Sequence, residues 1–263
     1  MVKGTYMSRN STRRLGLAFA LVGAAALTAP ALAGATTGSL GSSDAAGFTC
    51  SALSTEATPD GWGIPFDDEK NQLAFYSDTK VLDEDGSLKL DIVKASPDNR
   101  SAWYHSAGSI PLADAVKNEI GFAEKAATSQ TSFQLRLTGT TNAAAGENGF
   151  ATLYWVANGN DSVDTTTGGT HANIQNGQWI STRDIEGAPK NVPSDLDDII
   201  AGNPGATIEH YGVSVGRGEI GTSTHVDAVK FNGCTTNFAK NDPETSTGSL
   251  GSLGNIFGSL SAS

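Results

Sequence analysis

Period-two alternation constrains this chain more than any other feature. Ser87-Leu88-Lys89-Leu90-Asp91-Ile92 and Phe133-Gln134-Leu135-Arg136-Leu137 switch between apolar and polar at each step. A strand gathers the apolar members of such a run on one face, which a helix cannot do. Shorter runs rich in β-branched and aromatic residues repeat the signal. Strands are predicted near Phe48–Ser51, Leu73–Lys80, Ser87–Val93, Ala102–Ser106, Ile120–Ala123, Thr131–Thr138, Ala151–Val156, Gln178–Ser181, Ile208–Val215 and Thr224–Phe231. Turns are read at Asp85-Gly86, Ala143–Gly149 and Gly216-Arg217-Gly218. One helix is predicted, with Ser194 as its cap, Asp195, Asp197 and Asp198 in its first turn, and Gly202-Asn203-Pro204 as its stop. Many strands with one wet face and one or two short helices give an all-β class. The expected fold is a two-sheet antiparallel β-sandwich of the jelly-roll kind.

The ends of the chain carry different information. Residues 1–33 contain Lys3, Arg9, Arg13 and Arg14 and no acidic residue. The apolar run Leu15–Leu27 follows, and Ala31 and Ala33 fit the small-residue rule for cleavage before Gly34. The segment reads as a signal peptide, with a trace of a twin-arginine signal in Thr12-Arg13-Arg14-Leu15. Its removal takes away four basic residues and no acid. The net charge of −11 then becomes −15, with 13 Lys+Arg against 28 Asp+Glu. Such a product has no basic footprint for nucleic acid. It is expected to be secreted, free or associated with the cell wall, with no transmembrane span after cleavage. Residues 34–46 read as a low-complexity linker, 47–240 as one β-sandwich domain and 241–263 as a Gly/Ser/Leu-rich tail. Gly-Ser-Leu starts at Gly38, Gly248, Gly251 and Gly258.

Cys50 and Cys234 are the only cysteines. In an exported chain they are expected to form a disulfide. They stand 184 residues apart (234 minus 50). Closing a loop of that length is assigned about 5 kcal/mol by the chain-entropy account. The bond requires the first and last strands to be neighbours.

The chain resembles the jelly-roll, concanavalin-like or carbohydrate-binding-module-like domains of exported actinobacterial proteins. The residues that carry the resemblance are Pro59-Asp60-Gly61-Trp62, Gly86-Ser87-Leu88-Lys89-Leu90, Ile110-Pro111-Leu112-Ala113-Asp114, Thr152-Leu153-Tyr154-Trp155, Gly177-Gln178-Trp179, Leu196-Asp197-Asp198-Ile199-Ile200, Gly212-Val213-Ser214-Val215-Gly216 and His225-Val226-Asp227-Ala228-Val229. Their order along residues 48–238 is the signal. The resemblance implies glycan binding or service as a surface module. It also implies that Asp227, on the final strand, helps to hold a structural calcium; the next position is Ala228, where those domains commonly carry Asn or Asp.

Motifs for chemistry are missing: the sequence has no Gly-x-Ser-x-Gly, no His-Glu-x-x-His and no phosphate loop. His105, His171, His210 and His225 show no metal-ligand spacing and read as strand or loop residues. Hard cations want clustered oxygens, which makes Asp67, Asp68, Asp83, Asp85 and Asp227 the candidate calcium ligands. Sugar rings present apolar C–H faces that stack on aromatic planes. Trp62, Trp103-Tyr104, Tyr154-Trp155 and Trp179 are available for that, and alternation puts one member of each adjacent pair in the core. Trp179, flanked by Asn176-Gly177-Gln178 and Ser181-Thr182-Arg183, is expected to be an exposed platform, with Tyr154 and Arg183 as companions.

Three readings follow. The first is a non-catalytic exported module for a polysaccharide or cell-wall component. The second is a structural or adhesion-type surface protein acting by protein contacts. The third is a divergent glycan-cleaving enzyme, which needs a carboxylate pair brought together in space.

Overall fold

A computed structural model of the chain describes residues 47–64, 74–93, 100–141, 147–216 and 222–243. The segments read as a signal peptide (1–33) and a linker (34–46), Asp67 and Asp68, and the tail beyond Pro243 lie outside these residues.

The alternating runs build two sheets. One contains β1 (Leu53–Thr55), β2 (Ala74–Ser77), β3 (Ser87–Asp91), β5 (Gly121–Lys125), β8 (Gly169–His171), β12 (Ser223–Phe231) and β13 (Cys234–Ala239). The other runs in the order β10 (Pro193–Asp195), β9 (Gln178–Ser181), β7 (Ala151–Val156), β6 (Thr131–Thr138), β11 (Thr207–Val215), β4 (Ser101–Pro111). The all-β, two-sheet class is therefore as the periodicity implies. One pair departs from the antiparallel rule: β1 runs parallel to β13, with Leu53 opposite Asn237. Cys50 and Cys234 are bonded, their Cα atoms 5.5 Å apart, so the first and last strands are neighbours.

The inward residues of both sheets form one core. Leu88, Leu90, Phe122, Val226, Phe231 and Phe238 come from the first sheet. Phe133, Leu135, Leu153, Trp155, Trp179, Tyr211 and Val213 come from the second. Aromatic contacts bridge the gap. Phe122 meets Trp155 edge-on at 6.0 Å, and Trp62 meets Phe238 edge-on at 4.9 Å.

A helix α1 (Leu112–Ala115) follows β4, and α2 (Leu196–Gly202) follows β10. Leu196 and Ile199 bury the inner side of α2, and Asp197 and Asp198 sit in its first turn, where negative charge suits the helix dipole. Ser194 is not the cap. It lies in β10 and its hydroxyl donates to the Val192 carbonyl, while Asp195 takes the cap position. The stop works through a side chain. Asn203 Nδ2 donates to the carbonyls of Ile199 and Glu186, each at 2.7 Å, and its Oδ1 accepts from the Thr141 amide. That satisfies a terminal carbonyl the helix leaves open.

β12 organises the first sheet. Its early residues, Ser223–Val226, pair with β3, and its late residues, Val229–Phe231, pair with β13. One strand edge thus serves two partners in succession. Asp227 and Ala228 lie at the changeover, and Ala228 has φ 48°. Asp227 Oδ1 accepts from the amides of Ala228 at 2.6 Å and Phe238 at 3.0 Å, so it serves donors that the interrupted ladder leaves over.

Candidate functional site

The expectation of an exposed Trp179 is corrected by the structure. On β9 Gln178 is exposed and Trp179 is fully buried. Its indole N–H donates to the Ile174 carbonyl at 3.1 Å, and its ring meets Phe133 edge-on at 6.2 Å. The polar flanks misled because strand orientation is set by which residue of Trp179-Ile180 fills the inter-sheet space better. The larger ring goes in and Ile180 faces out. Trp62 and Trp155 are core residues too, and Trp103 packs against the core with its N–H donating to the Tyr76 hydroxyl.

Tyr154 and Arg183 do share a surface. On β7 Ala151, Leu153 and Trp155 are buried, while Thr152, Tyr154 and Val156 alternate outward. Register places Tyr104, Gly212, Gln134, Tyr154 and Ile180 in one row across β4, β11, β6, β7 and β9. Tyr104 lies over β11, and its hydroxyl donates to Gln134 Oε1 at 2.6 Å. Only glycine permits this at 212, because a Cβ there would stand 2.2 Å from the Trp103 carbonyl oxygen and 2.7 Å from the Tyr104 ring. In the next row are His210, Arg136 and Thr152. The Arg136 guanidinium stands 4.8 Å from the Phe150 ring centre, and that of Arg183 is 5.9 Å from the same ring. Such contacts fix the ring by attraction between cation and π-face. The outward face therefore presents the half-exposed rings of Tyr154 and Phe150, the Gln134 amide and the Arg183 guanidinium, while Arg136 is only 6% exposed beneath them. His210 is held neutral on this face: burial first, then the charges of Arg136 and His105, lower its pKa to about 4.

The carboxylates proposed for calcium divide. Asp67 and Asp68 fall outside the described residues. Asp83 and Asp85 are exposed. Asp83 accepts from the Asp85 amide, and Asp85 accepts from Asn237 Nδ2 at 2.8 Å. Burial raises the Asp227 carboxyl to about 6 against the pull of the two amides it accepts from, and the charges of Asp83 and Asp85 push it further. The three acids thus share a neighbourhood. Among the described residues no group of three or more His, Cys, Asp or Glu is arranged to hold a metal ion.

A second constellation was not foreseen. A cleft of about 720 Å3 opens between the β5–β6 turn and the β7–β8 connection. Beneath it His171 is fully buried between two carboxylates. Its Nε2 is 3.1 Å from Glu124 Oε2, and its Nδ1 is 2.8 Å from Asp161 Oδ2. Glu124 also accepts from the Ser129 hydroxyl, the Gln130 amide, the Thr131 amide and hydroxyl, and the Thr224 hydroxyl. Burial alone would raise the Glu124 carboxyl, but the bonds from His171, Ser129, Gln130 and Thr131 outweigh it and hold it down to about 2. Burial likewise disfavours a charged His171, yet the hydrogen bonds and charges of Glu124 and Asp161 win and raise its pKa. The three residues are far apart in sequence, with no motif between them, so only the fold reveals them.

No helix among the described residues is long and apolar enough to cross a membrane. No family model matches the chain, and neither a curated protein nor a solved structure matches it.

Proposed function

We propose that this protein is an exported, non-catalytic β-sandwich that binds glycan or cell-wall polysaccharide on the outward face of its six-stranded sheet. One observation carries the reading. Half-exposed Tyr154, Phe150 and Gln134 lie outward with the exposed Arg183 guanidinium beside the Phe150 ring, which the buried Arg136 guanidinium also flanks. Rings of this kind take the apolar face of a pyranose, and amide and guanidinium groups take its hydroxyls. The non-catalytic part is supported by Glu124. Its carboxylate is saturated by hydrogen bonds and stays ionised to about pH 2, which suits it to hold structure and not to pass a proton.

The test is binding of the mature protein to immobilised polysaccharides, including the producer's own wall, alongside Tyr154→Ala and Arg183→Gln. Retention of at least one polysaccharide is expected. Tyr154→Ala is expected to weaken it about tenfold, equivalent to about 1.4 kcal/mol, with an unchanged melting temperature. Absence of binding to every polysaccharide would sink the reading in favour of a protein-contact role. Release of reducing sugar would overturn the non-catalytic claim.

A further inference from the structure

The Glu124–His171–Asp161 chain asks for a reason. Each ring nitrogen of His171 faces a carboxylate oxygen, and a carboxylate can only accept, so both nitrogens carry protons and the ring is an imidazolium. Burying the Glu124–His171 pair of this chain is a poor route to stability, since well-packed apolar residues of the same volume serve as well or better. The site is suited to an apolar residue: the rings of Phe122 and Trp155 lie 4.8 and 5.4 Å from that of His171.

What the trio does accomplish is placement. Asp161 stands at the cleft with its side chain 26% exposed and one oxygen held by the imidazolium. Glu124, at the other end, fixes the opposite wall through Ser129, Gln130 and Thr131. One network therefore sets the position of both walls. The cleft volume of about 720 Å3 falls within the usual range for small-molecule sites, about 300–1,000 Å3. Thr128, Gln130, Asn158 and Ser162 line it beside Asp161 and Asp164, and no aromatic or basic residue among the described ones does. Such walls offer hydroxyl, amide and carboxylate groups. They repel anions, and the apolar part of the lining, from Ala127, Val156, Ala157 and Val163, offers small aliphatic patches between the polar groups, as the C–H faces of a sugar require.

We propose that this cleft is a second ligand site, for an uncharged hydroxyl-rich ligand such as a terminal pyranose, with Asp161 accepting from its hydroxyls and His171 as a positioning residue. The site adjoins the sheet face around Tyr154 at Val156, but Asp161 and His171 are no part of that face. The charged groups that face His171 are Glu124 from β5 and Asp161 from the β7–β8 connection. Asp164, further along that connection, has its carboxylate engaged by the Thr166 amide and hydroxyl. As pH rises through the raised pKa of His171, the ring keeps a single N–H for two carboxylates, and the hold on Asp161 weakens.

The experiment is an amide-resolved NMR titration of the mature protein with the methyl α-glycosides of glucose, mannose and galactose. At least one is expected to shift the amides of residues 128–131 and 158–166. Asp161→Asn is expected to weaken binding tenfold or more, while Lys117→Gln, an exposed change on the turn after α1, leaves it unchanged. Wild-type affinity is expected to fall as pH is raised from 6 to 9. His171→Gln is expected to flatten that profile; should it fail to fold, Asp161→Asn and the wild-type pH series decide alone. Absence of shifts in the cleft with all three glycosides would overturn the site. Unchanged binding in Asp161→Asn would overturn the anchor. A flat wild-type pH profile would overturn the positioning role.

Discussion

The ring of Tyr211 on β11 lies on that of Phe231 on β12, with centroids 4.0 Å apart and planes 14° apart. This stack joins the two sheets at mid-core, and Phe48 closes on both rings at 6.3 and 5.8 Å. Removing a buried aromatic ring leaves a cavity as well as lost contact. Phe231→Ala is therefore expected to cost about 3–5 kcal/mol in urea denaturation. A loss below about 1 kcal/mol would mean that the sheets do not depend on this stack.

The Cys50–Cys234 bond ties the first strand to the last. Replacing both cysteines by alanine is expected to cost about 2–5 kcal/mol. The comparison is the denaturation midpoint of the double variant against that of the oxidised parent. Adding a reductant to the parent should move it toward the variant.

Glu124 controls behaviour in acid. Its folded pKa, about 2, lies below the ordinary carboxyl value of 4.5. The stability from this ionisation is fully present above pH 4.5 and is lost as pH falls toward 2, about 3 kcal/mol in all. Glu124→Gln removes that slope. It also turns an amide NH2 toward either the protonated His171 Nε2 or the Gln130 and Thr131 amides, none of which can accept, so it is expected to lose about 3 kcal/mol or more at pH 7. Melting curves between pH 2 and 7 check both statements, and equal slopes in the two proteins would contradict them.

Asp227 acts in the opposite sense. Its folded pKa is raised from 3.8 to about 6. Its contribution is fully present below pH 3.8 and is lost as pH rises through 6, again about 3 kcal/mol. Asn keeps the oxygen that accepts from Ala228 and Phe238. Asp227→Asn is therefore expected to match the parent at pH 4 and exceed it at pH 7.5, measured in chelator. A calcium ion at Asp227 would show itself differently, raising the parent's melting temperature at pH 7.5 and leaving the variant's unmoved.

Much of the sandwich was legible because alternation is local. Thr131–Thr138, Ala151–Val156 and Gln178–Ser181 are strands with the same bounds as their runs. The opening strand was misplaced: Phe48 is a core residue, but pairing starts at Leu53, where β13 offers a partner. β13 was missed because Cys-Thr-Thr-Asn-Phe-Ala does not alternate cleanly. The signal for it was Asn232-Gly233, a two-residue turn with φ 48° and 76°, the strongest short hairpin cue. β8 and β10, three residues each, are too short to show a period. Among the site residues, the outward direction of Tyr154 was legible, since alternation keeps it away from Trp155. That of Trp179 was not, because a single large ring beside Ile180 has no local mark of which side it faces. The buried trio under the cleft owes nothing to spacing. It is assembled by the pairing of β5 with β8, which sets Phe122 opposite His171.

The bond that closes the chain from Cys50 to Cys234 has a mechanical consequence. A pull on the chain before Gly47 reaches Cys50, crosses the sulfur bridge to Cys234 and leaves along β13. The residues between the two cysteines are bypassed. β1 lies among the bypassed residues, so its hydrogen bonds to β13 carry none of this load. A domain wired in this way transmits tension between its flanking segments while its binding surfaces stay unloaded.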